Sequence, residues 1–351
     1  MKALRKVTMS AGLDLVDIPI PSIAPVEVLV KIRIAPICGT DVDHIYPFDE
    51  SARNFIKKVP VTIGHEFCGE IVEVGSAVRN FKVGDYVSAE SHLFCDKCYQ
   101  CKNNQRHLCQ NMEFLGGYID GTFAEYVALP EKILWKNSPE LPPKIAALQE
   151  SCGNSVYCTL IELIENKNVL IYGDGPTALF ACAVARTAGA EHVIIIGHSD
   201  FRLEIAVRVG ADVTFNSKLL SQDKITDAIR NRCGDSGGVD VVLCMVGDGK
   251  AINHCFELTR NGGDIRSFGI PTTSSTLINW DMIRKKGLTV HGIYGRLIWD
   301  TWKQLNGLFG KGLNIAPIVT HEFKLEDYEK AFALMSSSPK QCGEIAFNLE
   351  L

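Results

Sequence analysis

The stretch that most constrains this 351-residue chain is Asn168-Val-Leu-Ile-Tyr172, followed by Gly173-Asp-Gly-Pro-Thr-Ala178 and the Ala- and Val-rich run Leu179–Ala188. A short, continuous apolar run reads as a strand buried on both faces. Two glycines then permit a tight turn and a close backbone approach, and the run after them reads as a helix. The pattern repeats: a strand at His192–Ile196, a helix at Arg202–Val209, then strands at Val239–Cys244 and Gly263–Phe268. Strands alternating with helices predict βαβ units and a doubly wound parallel sheet. G-x-G-x-x-A at a strand–helix junction predicts a dinucleotide pyrophosphate at the helix N-terminus, with Gly173, Gly175, Pro176, Thr177 and Ala178 around it.

Before about residue 154 the pattern differs. Val26–Ile34 approximately alternates, Gly69–Val74 and Tyr86–Ala89 are short strand candidates, and Gly75-Ser76 and Val83-Gly84-Asp85 punctuate them. This predicts an antiparallel barrel or sandwich. After about 292 the strand–helix alternation stops. Trp302–Phe309 reads as a helix, and Gly343–Asn348 as a final strand. The expected architecture is a β-rich domain, 1–154 and 292–351, interrupted by a dinucleotide-binding domain at 155–291.

Thirteen cysteines are present, four of them at 95, 98, 101 and 109. An odd total argues against a complete disulfide framework, and a local cluster reads as a metal site. Cys95-x2-Cys98-x2-Cys101-x7-Cys109 can close around one tetrahedral Zn²⁺, with an iron–sulfur cluster as the minority reading. Four thiolates leave no open position, so this zinc is structural; its lobe spans about 90–112. The charge balance, 36 Lys and Arg against 41 Asp and Glu, lacks the basic excess of a nucleic-acid binder. No apolar run is long enough to span a membrane, and Met1–Lys6 lacks a signal-peptide core. The expectation is a cytoplasmic protein with neither nucleic-acid nor membrane partners.

A second constellation is dispersed: Cys38-Gly-Thr-Asp41, Gly64-His-Glu66 and Glu150. Thiolate, imidazole and carboxylate donors suit a catalytic zinc, which needs about three protein ligands and one open position. Singly, Cys38 reads more often as buried packing and His65 as a satisfied histidine. In order along the chain, these pieces, the four-cysteine lobe, Gly121-Thr-Phe-Ala-Glu-Tyr126 and the glycine-rich loop resemble the zinc-containing medium-chain alcohol dehydrogenases. The resemblance covers essentially the whole chain. It is strongest to the threonine-dehydrogenase branch, on Ile37–Val42 with Ile45-Tyr46, Gly153-Asn154, Gly292-Ile-Tyr-Gly-Arg296 with Trp299-Asp-Thr-Trp302, and Ile318–His321.

That resemblance implies a GroES-like β-rich catalytic domain, a Rossmann domain, and two zinc ions per subunit. It implies hydride transfer from a secondary alcohol to NAD(P), with L-threonine oxidised to 2-amino-3-oxobutanoate as the leading substrate. Cys38, His65 and Glu150 look like catalytic-zinc ligands, and Glu66 like an alternate. Thr40 resembles the hydroxyl that receives the substrate proton. His44 is either the group that passes it to solvent or a surface histidine. In the threonine branch this histidine follows Thr-Asp-Val directly; here Asp43 intervenes. His92 is a substrate contact or a surface histidine. Arg296 pairs with a substrate carboxylate, a cofactor or another domain. Ser151-Cys152 stand where relatives carry Pro-Phe. Relatives are dimers or tetramers, so a homo-oligomer is expected.

The strand at His192–Ile196 should end in an acid for the ribose 2′-OH of NAD. Gly197 stands there instead, followed by His198, Ser199 and Arg202, which could meet a 2′-phosphate. This leans to NADP, while Asp200 keeps NAD open. Two rivals remain. One is a polyol, sugar-alcohol or amino-sugar dehydrogenase of the same family. The other is a non-catalytic nucleotide-binding or zinc-scaffold protein, against which stands the retention of Cys38, His65 and Glu150 together.

Overall fold

The computed structural model describes residues 1–271 and 275–351. These form two compact units: Met1–Ser151 with Val319–Leu351, and Cys152–Ile318.

The second unit is built on a six-stranded sheet. Its spatial order is Val213–Asn216, His192–Gly197, Asn168–Tyr172, Val239–Cys244, Thr259–Ser267, Thr289–Gly292. Every neighbouring pair is parallel; Leu170, for example, stands opposite both Ile194 and Val242. Numbered by chain position this is 3-2-1-4-5-6, the doubly wound order whose ligand crevice lies where the order reverses. The central strands bury both faces: Val169, Leu170, Ile171, Val193 to Ile196 and Val241 to Leu243 are wholly inaccessible. Each such side chain contributes about 1.5–3 kcal/mol of burial. The Pro176–Thr187 helix starts on Gly175 with proline in its first turn and is buried from Ala178 to Ala185.

Residues 292–318 were expected to return to the β-rich body; they belong instead to the second unit. Thr289–Gly292 is a sixth parallel strand, and the single turn at Ala316–Ile318 packs on the Pro176–Thr187 and Asp200–Arg208 helices. The Asp300–Gly310 helix, expected from Trp302, is present and buries Trp302 and Leu305.

The first unit is mostly antiparallel. Its seven-stranded sheet runs Leu134–Lys136, Tyr86–Ala89, Cys68–Val74, Glu27–Pro36, Glu344–Asn348, Val319–Phe323, with Tyr126–Pro130 also on Glu27–Pro36. The long Glu27–Pro36 strand therefore pairs with three partners, one of them the C-terminal strand, which returns to this unit as the sequence implied. A three-stranded sheet joins Asp14–Asp17, Lys2–Lys6 and Val61–Thr62. The ribbon His92–Leu93 with Glu113–Phe114 frames the cysteine lobe.

Candidate active site

Cys95, the first of the four cysteines, lies two residues beyond that ribbon strand. The sulfurs of Cys95, Cys98, Cys101 and Cys109 lie within 4.8 Å of one another. The backbone is turned toward them: the N–H groups of Lys97 and Cys98 donate to Cys95 Sγ at 3.4 Å, and that of Cys95 donates to Cys109 Sγ at 3.3 Å. The Lys97 N–H bond, with the Asn111 amide and the Cys98 N–H, draws the Cys95 thiol down to about 5. N–H···S bonds of this kind stabilise thiolate, the form that binds zinc. Four converging sulfurs fit a closed tetrahedral zinc site.

The second cluster is assembled from two segments. Cys38 follows the Glu27–Pro36 strand, and His65 and Glu66 precede the Cys68–Val74 strand. Their ligand atoms lie within 4.8 Å of one another. Gly64 has φ +87, and a Cβ there would sit 2.4 Å from the Phe123 ring. Gly121 approaches so closely that its Cβ would fall 2.0 Å from Gly64 O. Gly121, Thr122 and Phe123 donate backbone N–H bonds to Thr62, Gly64 and Ile63, and Thr122 Oγ1 donates to Glu66 O at 3.1 Å. The Gly121–Tyr126 motif is thus the clamp that holds His65 and Glu66.

Asp41 is fully buried. Its Oδ2 accepts the Cys38 N–H at 3.1 Å, and its Oδ1 lies 3.8 Å from His65 Nδ1. Burial raises its carboxyl to about 6, partly offset by His65. Glu66 is 2% exposed; burial, then Glu150 and Glu344, push it well above the usual carboxylate range. Burial, then Glu66 and Asp41, likewise push the Cys38 thiol up. Glu66 Oε2 is buried without a hydrogen-bond partner among the described residues. A cavity of anions that raise one another is the environment a divalent cation relieves, so the donor set fits zinc.

Glu150 opens the Gln149–Leu160 helix. It is not grouped with Cys38 and His65. It accepts the Ser91 hydroxyl and clusters with Glu90 and His92, again within 4.8 Å. His92 Nδ1 meets Glu90 Oε1 at 2.9 Å, and the ring stands edge-on to Phe114. A carboxylate partner favours the tautomer with the proton on Nδ1. Ser151 Oγ donates to Leu148 O at 3.3 Å, and Cys152 is fully buried.

Thr40 is half-buried beside Cys38, and its backbone N–H is directed at the Cys38 sulfur. Asp41–Ile45 forms a π-helical turn, closed by Tyr46 N–H to Asp41 O at 2.8 Å. A π turn holds one residue more than an α turn. It therefore absorbs Asp43, and His44 still emerges on the turn, with Nδ1 2.7 Å from Asp49 Oδ2. Sequence reading passed over Asp41 and Glu90 as partners of the two histidines. The signal available was a carboxylate three residues after Cys38 and another two before His92.

In the second unit, Gly173 has φ +127, and nothing lies within 4 Å of a Cβ built on Gly175, which leaves open approach to the loop. Ser155 Oγ donates to Thr177 O at 2.8 Å. The unpaired N–H groups of the helix's first turn, with the dipole behind them, fit a pyrophosphate. Asp174, only 2% exposed, accepts the backbone N–H groups of His198 and Ser199 on Oδ2, each at 2.7 Å. Gly197 lies against it: a Cβ would meet Asp174 Cβ at 2.6 Å. Arg202 is buried at 8% exposure. Arg296 is buried at 1%; its Nη1 donates to Asn154 Oδ1 at 2.8 Å, and Gly153 leaves room for its stem. This ties Gly153-Asn154 to the Gly292–Arg296 stretch.

Residues 24–140 match the Alcohol dehydrogenase GroES-like domain family, and residues 176–311 match the Zinc-binding dehydrogenase family. L-threonine 3-dehydrogenase of Pyrococcus horikoshii is 40% identical over 352 aligned residues, covering 100% of this chain and 99% of that protein. The chain is a zinc-containing medium-chain alcohol dehydrogenase. The L-threonine 3-dehydrogenase of Symbiobacterium thermophilum is 42% identical, covering 98% of this dehydrogenase and 97% of its own length. Among solved structures, a zinc-binding dehydrogenase of Sinorhizobium meliloti bound to NADP superposes with TM-score 0.88 at 27% identity, covering 99% of this chain and 98% of that one. The dehydrogenase is an enzyme that uses zinc and a nicotinamide cofactor on a small-molecule alcohol. No helix among its described residues is long and apolar enough to cross a membrane.

Proposed function

We propose that this dehydrogenase oxidises the secondary hydroxyl of L-threonine to give 2-amino-3-oxobutanoate. The observation that carries this reading is the full-length identity of about two residues in five to L-threonine 3-dehydrogenases.

Cys38 and His65 would hold the catalytic zinc, with Glu66 and Glu150 supplying the carboxylate donor in turn. Bound there, zinc supplies Lewis-acid polarisation of the substrate oxygen, and the nicotinamide ring supplies the carbon that accepts hydride. Asp41 orients the His65 ring and fixes the Cys38 backbone. Thr40 takes up the hydroxyl proton. His44, fixed by Asp49, passes it to solvent. His92, held in one tautomer by Glu90, offers Nε2 to the ammonium group of an amino acid. The buried clamp of Gly64, Gly121 and Phe123 excludes water behind the ligands. Cys95, Cys98, Cys101 and Cys109 would hold a second, structural zinc. Gly173, Gly175, Pro176, Thr177 and Ala178 would bind the pyrophosphate.

The thiolate ligand sets require reduced cysteines, which supports a cytoplasmic location. Leu277, Trp280 and Ile270 are 91%, 69% and 67% exposed, which supports a homo-oligomer that covers them. Initial rates with the zinc-loaded protein test the substrate. L-threonine should give NAD(P)H formation well above that with polyols or sugar alcohols; good turnover of a polyol and none of threonine would reverse the assignment.

A further inference from the structure

We propose that Asp174 is a specificity-determining residue that rejects a 2′-phosphate and so directs this enzyme to NAD(H). The inference rests on reading Gly173–Ala178 as the dinucleotide loop.

Gly197 by itself pointed to NADP, because the acid expected at the end of the second strand is missing. The three-dimensional arrangement points the other way. A carboxylate is present beside that strand end, but it comes from the loop. Asp174 fills the space that any side chain at 197 would need, with its Cβ, Cγ and Oδ2 all 2.6–2.8 Å from a Cβ built on Gly197. The missing acid and the glycine are therefore one feature: Gly197 exists so that Asp174 can lie across the strand end.

A phosphate at this place would need donors. The two backbone N–H groups just after the strand are both taken. His198 N–H and Ser199 N–H each donate to Asp174 Oδ2 at 2.7 Å. The Ser199 hydroxyl oxygen accepts the Arg202 N–H and caps the Asp200–Arg208 helix. Cations nearby include Arg202, which is buried, His198, half-exposed with Nδ1 3.5 Å from Asp174 Oδ1, and the exposed Lys218, which follows Ser217, a residue bonded to Gly197 O. A second carboxylate, Asp200, sits in the first turn of that helix and accepts the Asn216 amide at 2.6 Å. A phosphate dianion would displace two charge-assisted hydrogen bonds and meet two like charges. A ribose hydroxyl meets neither penalty.

Calorimetric binding of NADH, NADPH, 5′-ADP and 2′,5′-ADP to the wild type, Asp174→Asn and Asp174→Ala tests this without turnover. Wild type should bind NADH more tightly than NADPH, and 5′-ADP more tightly than 2′,5′-ADP. Removing the charge should raise the relative affinity for the 2′-phosphorylated ligands by about tenfold or more, further in Asp174→Ala, where both N–H groups are released. General damage to the loop would weaken all four ligands together and leave the ratios unchanged. Wild type that favours NADPH, or ratios that stay put in both variants, overturns the inference while leaving the dinucleotide site intact. Binding of none of the four by wild type overturns the loop reading, and the inference with it.

Discussion

His65 Nδ1 lies 3.8 Å from Oδ1 of the fully buried Asp41, whose other oxygen accepts the Cys38 backbone N–H at 3.1 Å. One carboxylate thus orients two of the proposed zinc ligands from behind. Partners of this kind typically set metal affinity over a 10–100-fold range. Asp41→Ala should weaken zinc at the Cys38–His65 site by about 10–100-fold, read by competition with a chelator, with zinc in the cysteine lobe retained.

The closed lobe predicts a different response. Cys101→Ser removes one of four donors from a buried position. We expect elemental analysis to show one zinc fewer per chain. The melting temperature should fall by about 5 °C or more, corresponding to ~2 kcal/mol.

Gly64 predicts a coupling between fold and chemistry. Gly64→Ala must place a methyl 2.4 Å from the Phe123 ring on a residue with φ +87. The expected cost is ~1–3 kcal/mol in urea unfolding, together with lower zinc retention, because His65 is the next residue.

His254 predicts an acid response of the second unit. Its ring is buried between Tyr172 OH, 3.2 Å from Nδ1, and Thr226 Oγ1, 2.9 Å from Nε2, and burial lowers its pKa below 6.5. The unfolded chain therefore binds a proton that the folded chain does not as pH falls through 6.5. Stability contributed by this site is complete above that pH and declines below it. The urea midpoint of the wild type should drop between pH 7.5 and pH 5 by more than that of His254→Asn, both measured as a function of pH.

Much of this was readable along the chain, and the exceptions share a cause. Asn168–Tyr172, His192–Gly197 and Val239–Cys244 stand out because strands buried on both faces are continuous apolar runs. Cys95 to Cys109 stand out because the ligands of that lobe are neighbours in sequence. The second cluster needed a family resemblance, because Cys38 and His65 meet only through folding. Residues 292–318 carry no local mark of the helices they pack against, so their placement in the second unit was missed. The π turn at Asp41–Ile45 was invisible, since it depends on which carbonyl Tyr46 selects. Asp174 was hidden for the same reason: only the fold shows that it lies against Gly197.

The zinc content of fully active protein, counted per chain with and without Cys38→Ser, tests the central claim most directly. The account predicts two ions in the wild type, and one in the variant together with loss of turnover. A single ion per chain in fully active wild type, untouched by Cys38→Ser, would contradict it.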